Sequence, residues 1–282
     1  MAKDPADAFF DRKAASSGQR EGSLDMRRIF RDHRASRALR PAVLACASRP
    51  AAAQVRFSEE VSSLGNRAQA AFLRADRAEL SRVESDARSW GSSKDAAKLY
   101  GYAFVKFRVM LLAREARREE QMQAAGEACV STLDTAIERS PRFADAYALR
   151  GLCRTYLAAT SFIDWFMHKS DAADDAETAR RLAPRNPRSK TVDALLLWFG
   201  PAFFGDQKEA CKKFQTIVEA YGDDPDAGVT RDAVGIQWGA PEANLSMARC
   251  AKLTDDRELE YQYYDRALRF APDFAAARNH TD

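Results

Sequence analysis

The sequence predicts an all-α fold, a right-handed superhelical array of about four to five antiparallel helix hairpins. The phrase Ala-x-x-x-x-Pro recurs where helices are expected to end, at residues 136–141, 179–184 and 267–272. Apolar residues follow helical spacing from Phe57 onward. Hairpin units that recur along a chain are typical of stacked helix pairs, in which each pair buries its apolar face on its neighbours.

Composition agrees with a folded helical protein. The chain has 282 residues, of which 46 % are hydrophobic and 30 % charged, and glycine and proline are few. These values are typical of a soluble folded chain. No apolar run approaches the ~20 residues needed to cross a membrane, so no transmembrane segment is expected.

Charge divides the chain into two expected regions. Residues 1–56 hold 12 Lys/Arg and only 6 acids, and since the whole chain carries +3, the remainder carries −3. Residues 1–56 are predicted to be a disordered basic segment, and residues 57–282 a helical repeat domain. A mildly acidic domain gives no reason to expect nucleic acid as a partner.

Residues 26–53 resemble a secretory signal peptide. A basic stretch precedes the short apolar run 41–48, and Ala-Ala-Ala at 51–53 offers a cleavage site that would leave Gln54 first. This favours export to the periplasm or cell envelope; the alternative is a basic tail on a cytoplasmic protein. Cys46 resembles a lipoprotein acylation site, but Leu44 departs from that pattern, so no lipid anchor is expected.

The helices follow from apolar spacing, capping residues and breakers. Pro141 ends one helix because proline lacks the N–H that a helix interior requires. The first helix of the following hairpin is expected to continue through Ser161 to His168, and its second helix to begin at Ser170. The expected helical segments are 57–72, 80–91, 95–117, 122–141, 144–168, 170–184, 189–200, 207–222, 241–253, 255–272 and 273–278.

These segments resemble tetratricopeptide repeats (TPRs). In that family a small residue lies near the middle of the first helix of each hairpin, as Gly101, Gly151 and Ala248 do here, and small residues let helix axes approach closely. The second helices match at Ala172/Ala176/Ala179, Ala210/Phe214/Ile217 and Glu260/Tyr264/Ala267. The departures are Glu260 at a small position, and a spacing of 43 residues from Pro141 to Pro184 against the family's ~34.

The resemblance implies a non-enzymatic scaffold that holds a protein or peptide partner in a concave groove. First-helix residues line that groove in the family. The matching positions here are Lys98, Tyr102, Val105, Asp145, Ala148, Leu152, Thr155, Leu245, Arg249 and Lys252. A runner-up is a small-molecule binder similar to the periplasmic helical-repeat component of a transport system, with residues 198–204 lining the cavity.

Four cysteines form two expected pairs. Cys129 lies 12 residues before Pro141 and Cys153 lies 12 after it, so antiparallel helices joined there place the two side by side. Cys211 and Cys250 have the same relation across the next helix connection. Disulfides would require an oxidising compartment; the alternative is that cysteine serves as a small buried residue.

Nothing in the sequence predicts catalysis, a metal or a cofactor. His33, His168 and His280 have no evident Cys or Ser partner, and no Gly-rich phosphate loop or Cys-x-x-Cys spacing occurs. Acid pairs fall at helix starts, where carboxylates cap N–H groups. Aromatic clusters at 162–167 and 198–204 are interpreted as core, with binding surfaces as the alternative.

Overall fold

A computed structural model describes residues 55–228 and 235–280, and in these residues it is all-helical, without strands. The basic N-terminal segment and the signal-like residues 26–53 lie outside the described residues. The helices are α1 Glu59–Leu73, α2 Arg77–Asp86, a 3-10 helix Arg88–Ser92, α3 Ala96–Glu115, α4 Glu119–Arg139, α5 Ala144–Ala158, α6 Phe162–Leu182, α7 Pro187–Phe199, α8 Gln207–Tyr221, α9 Ala240–Leu253, α10 Arg257–Phe270 and α11 Ala275–Arg278.

Helices pack in neighbouring pairs, as the hairpin pattern predicts. The strongest packing joins α3 to α4, α5 to α6, α7 to α8 and α9 to α10. The second helix of each of these pairs also packs on the helix that follows it in the chain. In addition, α5 packs on α7. Close approach needs small residues: a Cβ on Gly151 would lie 3.3 Å from the carbonyl oxygen of Ala172 and 3.1 Å from Val192. The all-α prediction is confirmed for the described residues.

Both expected cysteine pairs lie at disulfide distance. Cys129 on α4 bonds to Cys153 on α5, with Cα atoms 6.4 Å apart. Cys211 on α8 bonds to Cys250 on α9, with Cα atoms 5.7 Å apart. Each bond therefore ties the second helix of one hairpin to the first helix of the next, and the predicted pairing is confirmed.

The boundary between α5 and α6 differs from the prediction. The first helix of this hairpin ends at Ala158, and residues 162–168 open the long second helix instead of extending the first. Ser161 caps the new helix: its Oγ accepts from the backbone N–H of Asp164 (3.1 Å) and donates to the Asp164 carboxylate (2.5 Å). Ser-x-x-Asp at the start of a helix is a capping signal that the sequence contained.

Replacing Ser161 by alanine is expected to cost about 1 kcal/mol of unfolding free energy, the usual value of an N-cap. The hydroxyls of Ser161 and Thr160 lower the pKa of Asp164. A carboxyl group whose pKa is lower in the folded than in the unfolded protein stabilises the fold at pH values above its unfolded-state pKa. This stabilisation is lost as the pH falls through the folded-state pKa. Urea unfolding should therefore show a difference between parent and variant that shrinks on acidification, and NMR should show the Asp164 pKa rising in S161A.

Ser131→Ala is the matched control, because Ser131 is exposed in the middle of α4 and caps no helix. Its effect should stay within about 0.5 kcal/mol. Equal stability of S161A and S131A would show that the cap does not define the start of α6.

Candidate functional site

The ten residues expected to line a groove separate into two groups. Six are buried: Val105, Asp145, Ala148, Leu152, Thr155 and Leu245. The other four are half-buried or exposed: Lys98, Tyr102, Arg249 and Lys252. Buried positions are closed to a partner in this structure, and contact of the remaining four with a partner stays a prediction.

A segment of the chain itself packs among the first helices of the hairpins. Residues 235–239 connect to α9, and within them Ile236 and Trp238 are buried. Asn66 on α1 holds the segment with both ends of its side chain: its Nδ2 donates to the carbonyl of Gly235 (2.6 Å) and its Oδ1 accepts from the backbone N–H of Gln237 (3.0 Å). The segment thus brings the first helix against the start of the last hairpin.

Two glycines make this close packing feasible. A Cβ on Gly65 of α1 would lie 2.5 Å from the Ile236 side chain. Gly239 has φ of 103°, a conformation that favours glycine, and a Cβ there would lie 2.3 Å from the Tyr221 hydroxyl. Any larger residue at either position would displace the segment.

Trp238 is the centre of the buried contacts. Its Nε1 donates to the Tyr100 hydroxyl (3.3 Å), and its ring lies 5.9 Å from that of Phe104. The guanidinium of Arg188 lies 4.5 Å from the centre of the indole ring. This distance is typical of a cation–π contact.

Arg188 is itself fully buried and paired. Its Nη1 donates to Asp145 (2.6 Å) and its Nη2 to the carbonyl of Ile236 (2.8 Å). Asn186 donates to the other oxygen of Asp145. Burial works to lower the pKa of Arg188, but the charge and hydrogen bond of Asp145, together with the hydroxyls of Tyr100 and Tyr221, raise the pKa above the usual arginine value. The pair fixes the segment to α5 and α7.

A second buried arginine links α3 to α9. Arg108 donates to Glu242 (2.6 Å), and its guanidinium lies 4.6 Å from the Phe72 ring. Burial lowers the pKa of Arg108, and the Glu242 carboxylate opposes this. Glu242 also accepts from Gly239 N–H (2.8 Å) and from Gln69 Nε2 (3.0 Å), so one carboxylate joins α1, α3 and the start of α9.

A cleft of about 390 Å³ lies beside this segment, between α1 and the end of α10. Trp238, Pro241 and Phe270 give it apolar walls. Its lining residues are Asn66, Gln69, Ala70, Leu73, Arg74, Pro225, Gln237, Trp238, Pro241, Phe270, Ala271, Pro272 and Asp273.

Two polar groups of the cleft have no partner among the residues that the structure describes. The amide nitrogen of Gln69 must face Glu242, since a carboxylate only accepts, and this leaves the buried Oε1 of Gln69 without a hydrogen bond in the described chain. Arg74, at the end of α1, is exposed and forms no ion pair with another described residue. The cleft therefore offers a buried acceptor, an exposed cation and an apolar wall.

The aromatic clusters are only partly core. Trp165, Trp198 and Phe199 are buried, and Trp198 packs edge-on against Phe214 at 6.1 Å. Phe162, Phe166, Met167, Phe203 and Phe204 are exposed. The interpretation of each cluster as core is wrong for these five residues: Phe162, Phe166 and Met167 lie in the exposed first turns of α6, and Phe203 and Phe204 lie in the turn between α7 and α8.

The sequence prediction did not include the cleft. Gln69 is a polar residue within the buried apolar face of α1, and that placement was the available signal. Within the described residues no cluster of three His, Cys, Asp or Glu side chains could hold a metal ion, and no helix there is long and apolar enough to cross a membrane.

No protein-family model matches this chain, and no curated protein matches it significantly.

Proposed function

We propose that this chain is a non-enzymatic, TPR-like helical scaffold, exported from the cytoplasm, that binds a peptide segment of a partner protein. The packing of helices in neighbouring pairs and the small residues at Gly101, Gly151 and Ala248 support the repeat assignment. The superhelical, right-handed arrangement of the pairs belongs to this proposal.

The cleft beside Trp238 carries the proposal. An extended peptide presents backbone N–H donors, and the unpartnered Oε1 of Gln69 would accept one of them. Arg74 would pair with a carboxylate of the peptide, and Phe270 and Trp238 would cover an apolar side chain. This combination suits a peptide that has an acidic group next to an apolar residue.

The peptide would lie beside the groove of the repeats rather than within it. Six members of the predicted groove set are buried, and Asp145 among them is paired with Arg188, which also binds the carbonyl of Ile236. None of these six residues lines the cleft. Partner contacts through Lys98, Tyr102, Arg249 and Lys252 would extend such an interface.

Export is supported by the two disulfides. Persistent disulfides are rare in a reducing cytoplasm and common in secreted and periplasmic proteins. The basic and apolar order of residues 26–53 agrees with that location as a sequence prediction.

The test is the charge reversal Arg74→Glu. The parent protein is used to recover partners from a cell-envelope extract, and the binding peptide of the recovered protein is then titrated by fluorescence anisotropy. R74E is expected to raise the Kd about tenfold or more, since loss of one carboxylate contact and gain of a repulsion exceed ~1.4 kcal/mol.

Arg77→Glu is the matched control. Arg77 is also exposed and is not part of the cleft lining, and its substitution makes the same charge change. Its Kd should equal that of the parent. If R74E binds the peptide as tightly as R77E does, the cleft is not the binding site.

The volume of the cleft favours one alternative, a small-molecule-binding component of a transport system. A cavity of about 390 Å³ falls within the 300–1,000 Å³ typical of small-ligand sites. A thermal-shift screen of metabolites distinguishes the two functions. Stabilisation by a metabolite that R74E abolishes, with no protein recovered from the extract, would favour the transport component.

A further inference from the structure

An exposed apolar surface spans two neighbouring hairpins, α5–α6 and α7–α8. It combines the first turns of α6 with the turn between α7 and α8, and we name it the aromatic ridge. Its members are Phe162, Ile163, Phe166, Met167, Phe203 and Phe204.

The ridge is held in a fixed shape. Phe166 contacts Phe162 at 4.9 Å and Phe204 at 5.7 Å between ring centres, both edge to face. Lys169 lies over the rings of Phe166 (5.3 Å) and Phe204 (4.6 Å), which ties α6 to the turn. Rings arranged in this way are ordered before any partner arrives, which lowers the entropic cost of binding.

The turn that carries Phe203 is also structured. The backbone N–H groups of Phe204 and Gly205 both donate to the carbonyl of Pro201 (2.7 Å each). A side chain on Gly205 would lie 2.4 Å from the carbonyl oxygen of Gly200, so the turn closes tightly. The exposure of Phe203 is therefore a property of a closed turn and not of a loose loop.

The exposed area is that of an interface. Phe203 is 94 % exposed, Ile163 71 %, Met167 63 % and Phe162 60 %, and Phe166 and Phe204 are 47 % each. At ~200 Å² per phenylalanine the four rings alone expose roughly 500 Å². This is near the upper limit for the largest apolar patch of a monomer. With Ile163 and Met167 added, the ridge approaches the ~800 Å² that each partner contributes to a stable complex.

The charges beside the ridge favour a second copy over an anionic surface. The two segments that carry the ridge, residues 162–171 and 200–213, together hold four lysines and four carboxylates. These residues are Lys169, Lys208, Lys212, Lys213, Asp164, Asp171, Asp206 and Glu209. Because the segments around the ridge carry no net charge, two copies of this surface do not repel each other. For the same reason the surface is not attracted electrostatically to anionic lipids.

We propose that the aromatic ridge is the interface of a homodimer in which two copies of this chain meet about a two-fold axis. In such an interface the same surface serves both copies, so the projecting Phe203 of each copy packs on the aliphatic Ile163 and Met167 of the other. Each contact then occurs twice. The ridge and the cleft lining have no residue in common, so the proposal stands apart from peptide binding.

The experiment is sedimentation velocity over a range of protein concentrations, with iodoacetamide present to block any thiol that could crosslink copies. The parent chain is expected to reach twice its 31.4 kDa mass. Phe203→Asp and Ile163→Asp place a carboxylate in the interface while altering little of the fold, because both side chains are mostly exposed. Each is expected to raise the dimer dissociation constant at least ~30-fold, the effect of losing a central contact.

Tyr261→Asp is the matched control: Tyr261 is an exposed ring on α10, 55 % exposed, outside the ridge. Dimers of the parent and Y261D with monomers of F203D and I163D would support the proposal. A monomeric parent at every concentration, or dimers that F203D and I163D leave unchanged, would overturn it. So would a monomeric parent that cosediments with lipid vesicles through Phe203, since the ridge would then insert into a membrane.

Discussion

Replacing Cys129, Cys153, Cys211 and Cys250 together by alanine is expected to lower the free energy of unfolding by about 7 kcal/mol. The two bonds close loops of 24 and 39 residues. In the chain-entropy model a loop of that size contributes ~3–4 kcal/mol, since it removes conformations from the unfolded chain. Ordinary domains have a total stability of about 5–15 kcal/mol, so a loss of this size would unfold a domain at the low end of that range and remove about half of the stability of one at the high end.

Guanidinium unfolding of the two paired variants measures each contribution separately. C129A/C153A and C211A/C250A should each lose ~3–4 kcal/mol. Ser131→Ala, an exposed substitution on α4 outside both cysteine pairs, is the control and should leave the unfolding midpoint nearly unchanged. A quadruple variant as stable as the parent would mean that the four thiols are not bonded in the folded protein, and the support for export would be lost with them.

Asp145→Ala is expected to lower the free energy of unfolding by about 3–5 kcal/mol, because it leaves the charge of Arg188 buried without its partner. Both side chains are fully buried. Arg188 cannot relieve this unpaired charge by losing its proton, since arginine stays charged at every ordinary pH. The loosened residues 235–239 should then release Trp238, and its fluorescence should move to longer wavelength as water reaches the ring.

Two further variants make the test specific. Asp265→Ala removes one partner of an exposed pair on α10, in which Asp265 and Arg269 are 3.6 Å apart, and it should cost less than 1 kcal/mol. Replacing both members of the buried pair, Asp145→Leu with Arg188→Met, should cost less than D145A alone, since no buried charge remains. If D145A is no less stable than D265A, the pair does not hold the segment.

Asp145, one of the predicted groove residues, shows one difference between this chain and an open repeat array. In an open array the first helices of the hairpins face a partner, and their polar side chains are available for binding. Here the Asp145 carboxylate forms an ion pair with Arg188, and Arg188 also donates a hydrogen bond to the carbonyl of Ile236. A partner that bound Asp145 would first have to break its pair with Arg188.

The sequence by itself determined the local and near-neighbour features. Helix periodicity, the breaking residue Pro141 and the small residue Gly151 act within one hairpin, so their consequences can be read from spacing. The disulfides were predictable for the same reason: the residues of each pair lie on successive helices, at similar distances from the connection between them. The start of α6 was also predictable from the capping residues Ser161 and Asp164. The apolar residues 162–167 instead suggested that α5 continued.

Only the tertiary structure decided the site. Asn66 and Gln237 are 171 residues apart, and Arg108 and Glu242 are 134 apart, so no spacing rule relates them. Whether these residues meet depends on the packing angles of all the helices that lie between them in the chain. Periodicity fixes which face of a helix is apolar, whereas the surface that covers that face, the chain's own residues 235–239 or a partner, depends on the sum of all the packing angles.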